Sequence, residues 1–503
     1  MTQTHRRPWG AVRMAAMLAA AFALAPAPAA AAADEATAIR RSVEHVLASW
    51  RFRDRLTIDG RVGVTEDGGA YRIVLPGLAI AGAQADAGSL DVGDVVIRAT
   101  PHDDGSYAVT ATLPKTMGIL DQDGIVRAFV VIGGQRITGL WLPALQTLTR
   151  AEAVLDDVWV TEIGGTSRAH MATLAMTADI EERAPGLWDG PSTFRLADLE
   201  LTAPGEGSLK LAAGKVTTAA TGMRLDEQAR AVAKIGQSLG DEAGESPPPV
   251  EPLVILRLAE KSALVFDSMK TEVALSGLAY APEKGNQGFA LDRAEFAMGI
   301  EDLTARLARV RFHYEHDGLA LSETGVLGAD YVPRHALFDL VADNVPAEDL
   351  RDGLFDYAAA TAVTGQAAAG GAQLANRMSA AAMDAGTEVG LKALTLEAPD
   401  FSLRSQGAFK SDRTAARKVT GWLDTTIRGL DGMVRSLSAA TDQAQAAQAV
   451  GFATFLRSLG AVETDQTGAK VRRYRIEITP EGRMLLNGQD FATVLGAAMA
   501  QQP

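Results

Sequence analysis

Three short segments of this 503-residue chain carry side chains of the kind that do chemistry. Gly236-Gln-Ser238-Leu-Gly240 matches the G-x-S-x-G pattern, in which a strand-to-helix turn lifts a serine oxygen above a parallel sheet. Here the residues before it have helical spacing and those after it are acidic and proline-rich. The order is inverted, and Gly240 reads as the cap of a helix C-terminus. His313-Tyr-Glu315-His316 offers metal-ligand types. On a strand, His313 and Glu315 share a face and His316 turns away, and the helical H-E-x-x-H spacing of zinc hydrolases is absent. Asp121-Gln-Asp123-Gly124 opens like a calcium loop, but Val130 stands where the bidentate Glu belongs, so the segment reads as a turn. No phosphate-binding P-loop and no dinucleotide fingerprint occurs. With 62 Asp and Glu residues, chance carboxylate pairs are certain, and nothing singles out two of them for glycoside hydrolysis. Trp141, Trp159, Trp188 and Trp422 are scattered among apolar neighbours and read as packing residues. The sequence therefore predicts no catalytic residue, no metal site and no cofactor, and a protein that is not an enzyme.

Composition narrows the partners. The chain has 48 Lys and Arg, no Cys and a formal net charge of −14. An acidic balance of this size argues against nucleic acid, which is bound by clustered positive charge that displaces counterions from phosphates. Without Cys there is no disulfide and no thiolate-held zinc or iron–sulfur cluster. A length of 503 residues exceeds what one core usually serves, so more than one domain is expected.

The elements that would position any site follow from the spacing. Residues 1–33 have the order of a secretory signal peptide. Arg6, Arg7 and Arg13 are followed by a short apolar run, then by small residues ending at Ala33. The expected location is the periplasm or the outside medium. No later stretch reaches the length of a membrane-spanning helix, so no transmembrane helix is expected once the signal is removed.

Ile39, Val43, Val46, Leu47 and Trp50 recur at helical spacing, after which the pattern switches to period two. Hairpin turns are predicted at Glu66–Gly69, His102–Gly105 and Gly133-Gly134. Further turn signals lie at Gly164-Gly165, Pro204–Gly207, His316–Gly318 and Pro480–Gly482. Helices are expected from Leu225 to about Leu239 and near 345–383, 419–437 and 444–459. The acidic, proline-rich stretch 241–252 is the best linker, between β-rich halves at 34–240 and 253–503. The fold class is thus mostly β with interspersed helices (α+β), in elongated antiparallel sheets.

A repeated strand motif supports the division into two related halves. Leu196-x-x-Leu199-x-Leu201-x-Ala203-Pro204 has the spacing of Leu391-x-x-Leu394-x-Leu396-x-Ala398-Pro399. Looser copies run from Leu275 through Leu278 and Tyr280 to Pro282, and from Val92 through Val95 and Ile97 to Pro101. Leu155-Asp-Asp-Val158-Trp-Val160 shares the core of the motif. Similar antiparallel strands without any duplication would give the same pattern.

Residues 390–490 carry a resemblance. The segment from Leu394 to Phe409, the helical-looking Gly421-Trp422-Leu423-Asp424 and Gly429–Gly432, and the closing hairpin from Tyr474 to Gly488 resemble uncharacterised envelope proteins of Gram-negative bacteria, of the YdgA-like and AsmA-like kind. The resemblance implies a long β-sheet with one face able to carry acyl chains, and it transfers no catalytic residue. The expected function is non-enzymatic binding or shuttling of a lipid or another apolar ligand in envelope maintenance. Leu199, Leu201, Leu278, Tyr280, Leu394 and Leu396 are the candidate ligand-facing residues. The alternative is an acidic scaffold that contacts a basic protein partner. A hydrolase on a β scaffold is the remote third reading.

Overall fold

A computed structural model describes residues 35–47, 56–82, 88–145, 147–165, 167–230, 266–285, 287–323, 328–364, 367–439, 443–465 and 468–500. The signal segment, Trp50, the G-x-S-x-G match and the 241–252 linker lie outside them. The chain is mostly β, with 60% strand and 19% helix. It divides into two compact units, Met1–Phe266 and Asp267–Pro503.

Among the described residues, the first unit has helix α1 (Glu35–Leu47) and then twelve strands that pair antiparallel, mostly in sequence order. The strands that matter here are β3 (Ala70–Ala81), β4 (Ser89–Pro101), β5 (Tyr107–Thr112), β6 (Thr116–Leu120), β7 (Val126–Leu142), β8 (Thr147–Glu162), β9 (Arg168–Asp179), β11 (Leu187–Ala203) and β12 (Gly207–Met223). Such neighbour-to-neighbour pairing follows from the short polar turns between alternating runs. The turn at Gly133-Gly134 does not form, because β7 runs straight through it. Those glycines instead face the β8 carboxylates. A Cβ on Gly133 would meet the Asp157 Cβ at 2.9 Å, and one on Gly134 the Asp156 Cβ at 3.5 Å.

The repeated L-x-x-L spacing has a local structural cause. Asp157, Asp198 and Gly277, each the residue before the second apolar position, have φ of 52°, 50° and 63°, and in the Val92 copy the residue after the first apolar position, Gly93, has φ of 81°. A left-handed residue within a strand breaks the alternation of faces. Leu155 and Val158 are accordingly both buried, while Asp156 and Asp157 between them are exposed. Across five neighbouring strands, Gly133, Asp157, Ala172, Asp198 and Ala212 drop out of pairing in one row, and the register is the same on either side of it. The Leu391 copy is different: its strand shifts register between Leu391 and Leu394.

The second unit also has twelve strands among its described residues, including β13 (Ser268–Ala281), β14 (Phe289–Glu301), β15 (Leu307–Asp317), β17 (His335–Pro346), β18 (Glu388–Ala398), β19 (Phe401–Ser411), β20 (Val419–Arg428) and β22 (Lys470–Ile478). Between β17 and β18 lie α2 (Ala347–Thr364) and α3 (Ala367–Ala385). After β20 come α4 (Leu430–Ser438) and α5 (Gln443–Leu459), and α6 (Phe491–Ala500) ends the described chain. The helix expected over 419–437 is therefore a strand followed by a short helix. Leu430, Val434 and Leu437 of α4 pack with Phe401, Ile427 and Tyr474 to form the core of this region. Among the described residues, no helix is long and apolar enough to cross a membrane.

Candidate functional site

An apolar cavity lies in the first unit, between α1 and the sheet. Its volume is about 120 Å³. Ile39, Val43 and Val46 recur at spacings of four and three on α1, and all three are buried, so this face of the helix turns toward the sheet. Val43 and Val46 form one wall of the cavity, and strands β3 to β7 supply most of the rest.

The broken alternation described above builds that wall. In β3, Leu75 and Leu78 flank Gly77 (φ 52°); in β4, Val92 and Val95 flank Gly93 (φ 81°). All four flanking side chains are buried and line the cavity. The two kinks are tied together, because the Gly77 N–H donates to Asp94 Oδ1 at 2.9 Å. Residue 77 has to be glycine on two grounds, since its φ is positive and a Cβ would meet the Asp59 Cβ at 2.7 Å.

At the start of α1, Glu35 fastens the helix to the sheet. Its carboxylate accepts the Tyr71 and Tyr107 hydroxyl protons, each at 2.7 Å. The Tyr107 bond and then the Tyr71 bond hold the Glu35 carboxyl below its ordinary range. Burial, followed by the bond to Glu35, pushes the Tyr107 phenol well up. The Tyr107 ring lies 5.1 Å from that of Trp141, which is 3% exposed and lines the cavity. The Trp141 indole N–H is buried and makes no hydrogen bond among the described residues. An unmet buried donor costs about 1–3 kcal/mol. This lining excludes water by its chemistry: apolar cavities of about 150 Å³ stay dry and accept small hydrocarbon groups.

None of the six ligand-facing candidates from the sequence lines this cavity. Leu199 and Leu201 lie on β11, opposite Met171 and Ala169 of β9. The other four belong to the second unit. Leu278 pairs with Leu291, and the Tyr280 ring lies 6.1 Å from that of Phe289. Leu394 pairs with Phe338, while Leu396 packs against the cluster around α4. The wall residues do include Val92, Val95 and Ile97, from a copy of the repeat that supplies none of the six candidates. The signal that finds them is the combination of an amphipathic helix with the first hairpin, Ile73 and Leu75 included.

The histidine segment falls on β15. Nδ1 of His316, which is buried, lies 3.0 Å from the Tyr314 hydroxyl. His313, Glu315 and Glu295 place ligand-type atoms within 4.8 Å of one another, and Glu315, Asp317 and His335 do the same. That donor set could hold a divalent ion. Two of its carboxylates already have partners in the chain: Arg293 bonds Glu295, and His335 Nδ1 lies 2.7 Å from Asp317 Oδ1. Asp121 sits in a turn, its Oδ1 accepting the N–H groups of Asp123 and Ile125 at 2.9 Å each. Trp159 departs from its expected packing role: it is 39% exposed, and its ring stacks on that of His170 at 4.1 Å.

No family model, no curated protein and no solved structure matches the chain.

Proposed function

We propose that this chain is an exported, non-enzymatic periplasmic protein that binds the end of an acyl chain, or a similarly small apolar group, beneath α1. The observation that carries the reading is the cavity: the paired strands and α1 would bury their side chains most simply in a filled core, yet here an apolar space of about 120 Å³ is left between helix and sheet. The unmet Trp141 N–H gives such a ligand a place for an ester or carboxyl oxygen. The signal-like order of residues 1–33 supports export. The resemblance of residues 390–490 to YdgA-like and AsmA-like envelope proteins is in keeping with lipid traffic.

The two units are read as related halves on the shared L-x-x-L-x-L-x-A-P motif. Both copies end in hairpins that turn at Pro204 or Pro399 into the next antiparallel strand. The functional reading is tested by native purification followed by solvent extraction and mass spectrometry. A single-chain lipid or fatty acid in the extract is expected; repeated preparations without one, together with no uptake of added fatty acid, would remove the proposal.

A further inference from the structure

The second unit holds a cavity of a different kind. It measures about 620 Å³, within the range of small-molecule sites. The first turn of α4, from Leu430 to Gly432, forms one side, and the ends of β20 and β22 form others. Four cationic residues line it: Arg428, Arg435, Lys470 and Arg472. Asp400 and Asp431 are the carboxylates in the lining. The pocket is thus net positive in a chain of net charge −14.

The cations differ in how far they are already engaged. Arg472 is held in place, its Nη1 donating to the Arg457 carbonyl at 2.6 Å and its Nη2 to Asp431 at 3.3 Å. Its Nε is buried and has no partner among the described residues. Arg428, Arg435 and Lys470 form no side-chain hydrogen bond or ion pair among the described residues. Elsewhere in this unit guanidinium groups are commonly paired, as Arg377 is with three aspartates. Three unpaired cations around one concavity repel each other until an anion enters. The first N–H groups of α4 have no acceptor within the helix and add favourable partial charge on the same side.

We propose that this pocket binds a phosphate-bearing anion, with Arg428, Arg435 and Lys470 as the groups that engage it and Arg472 as the anchored floor. Arg gives phosphate paired, charge-assisted hydrogen bonds, and Lys adds a mobile point charge. The site is independent of the apolar cavity and of the function proposed for it. Its ligand is either a free phosphate compound or the head group of a lipid.

The test uses the full chain in low-salt buffer without phosphate. Inorganic phosphate, pyrophosphate and dihexanoyl phosphatidic acid (below its micellar concentration) are titrated by calorimetry. Saturable binding that weakens with added salt is expected. Arg428→Gln and Lys470→Gln should each weaken it about tenfold, the size of one charge-assisted hydrogen bond. Lys215→Gln, the same loss of charge in the other unit, should leave it unchanged. Circular dichroism and melting of the free variants should match the parent, because both side chains are exposed. Tighter binding of the phosphatidic acid assigns the site to a lipid head group, and tighter binding of pyrophosphate to a soluble compound. No binding of any of the three, or equal affinity in Arg428→Gln, Lys470→Gln and the parent, overturns the proposal.

Discussion

Filling the cavity beneath α1 should stabilise the protein and abolish its proposed binding at once, and Ala111→Leu is the variant that separates these effects from ordinary damage. Ala111 lies on β5, opposite Ile97 of β4, and lines the cavity. At about 24 cal/mol per Å³, an unfilled space of 120 Å³ corresponds to about 3 kcal/mol of lost packing. Leucine adds three carbons at about 0.8 kcal/mol each, a ceiling of about 2.4 kcal/mol before strain. Strain in a confined site takes back part of this, leaving a net gain of about 1 kcal/mol. For a unit of this size that raises Tm by about 2–4 °C. In the parent, a ligand at a hundred times its Kd should add about 2.7 kcal/mol, and in Ala111→Leu almost nothing. Differential scanning calorimetry with and without dansylaminoundecanoic acid reads both effects, and fluorescence titration gives the affinity directly. A variant that melts earlier than the parent and still binds the probe with parental affinity would refute the reasoning, because the space would be neither vacant nor the binding site.

Three further outcomes are expected. Glu35 is held below its ordinary value near 4.5 by the two tyrosine hydroxyls, so its contribution to helix docking is present above that value and is lost as pH falls through the lowered one. Probe affinity should accordingly drop in acid for the parent, while Glu35→Gln starts weaker and shows a flatter profile in the same titration. Asp198→Val forces a branched side chain into a left-handed position and should cost about 1–2 kcal/mol in urea denaturation, whereas Asp198→Gly should cost nothing. Trp141→Phe removes the unmet donor and keeps most of the ring. It should bind undecane-type hydrocarbon probes as well as the parent does, and fatty acids about tenfold less tightly.

Most of the strands were legible because alternation and turn residues agree, as at Glu66–Gly69, where β2 (Gly63–Asp67) turns into β3. The failures have physical causes. Val419, Leu423, Ile427, Leu430, Val434 and Leu437 are spaced by four and three, which satisfies a helix, but the first three also share one face of a strand. The β-branched Thr425, Thr426 and Ile427, with β19 and β22 on either side, decide for the strand up to Arg428. Gly133-Gly134 resembles a turn in sequence, yet the pair marks the close approach of Asp156 and Asp157 from the next strand. The L-x-x-L motif was visible as a repeat. Its cause was hidden, because in two copies the left-handed residue is Asp rather than Gly. The cavity is hidden in the sequence for a related reason. Its walls combine a helix with strands up to a hundred residues away, and period-two spacing alone cannot tell a filled core from one with room left in it.

The most direct test of the central claim is photo-crosslinking with a diazirine-bearing fatty acid, mapped by peptide mass spectrometry on the full chain. Labelling is predicted on peptides that contain Val43 and Val46 of α1 or Leu75 and Leu78 of β3, and unlabelled fatty acid should compete it away. Labelling spread evenly over the surface, or confined to the second unit, would contradict the account.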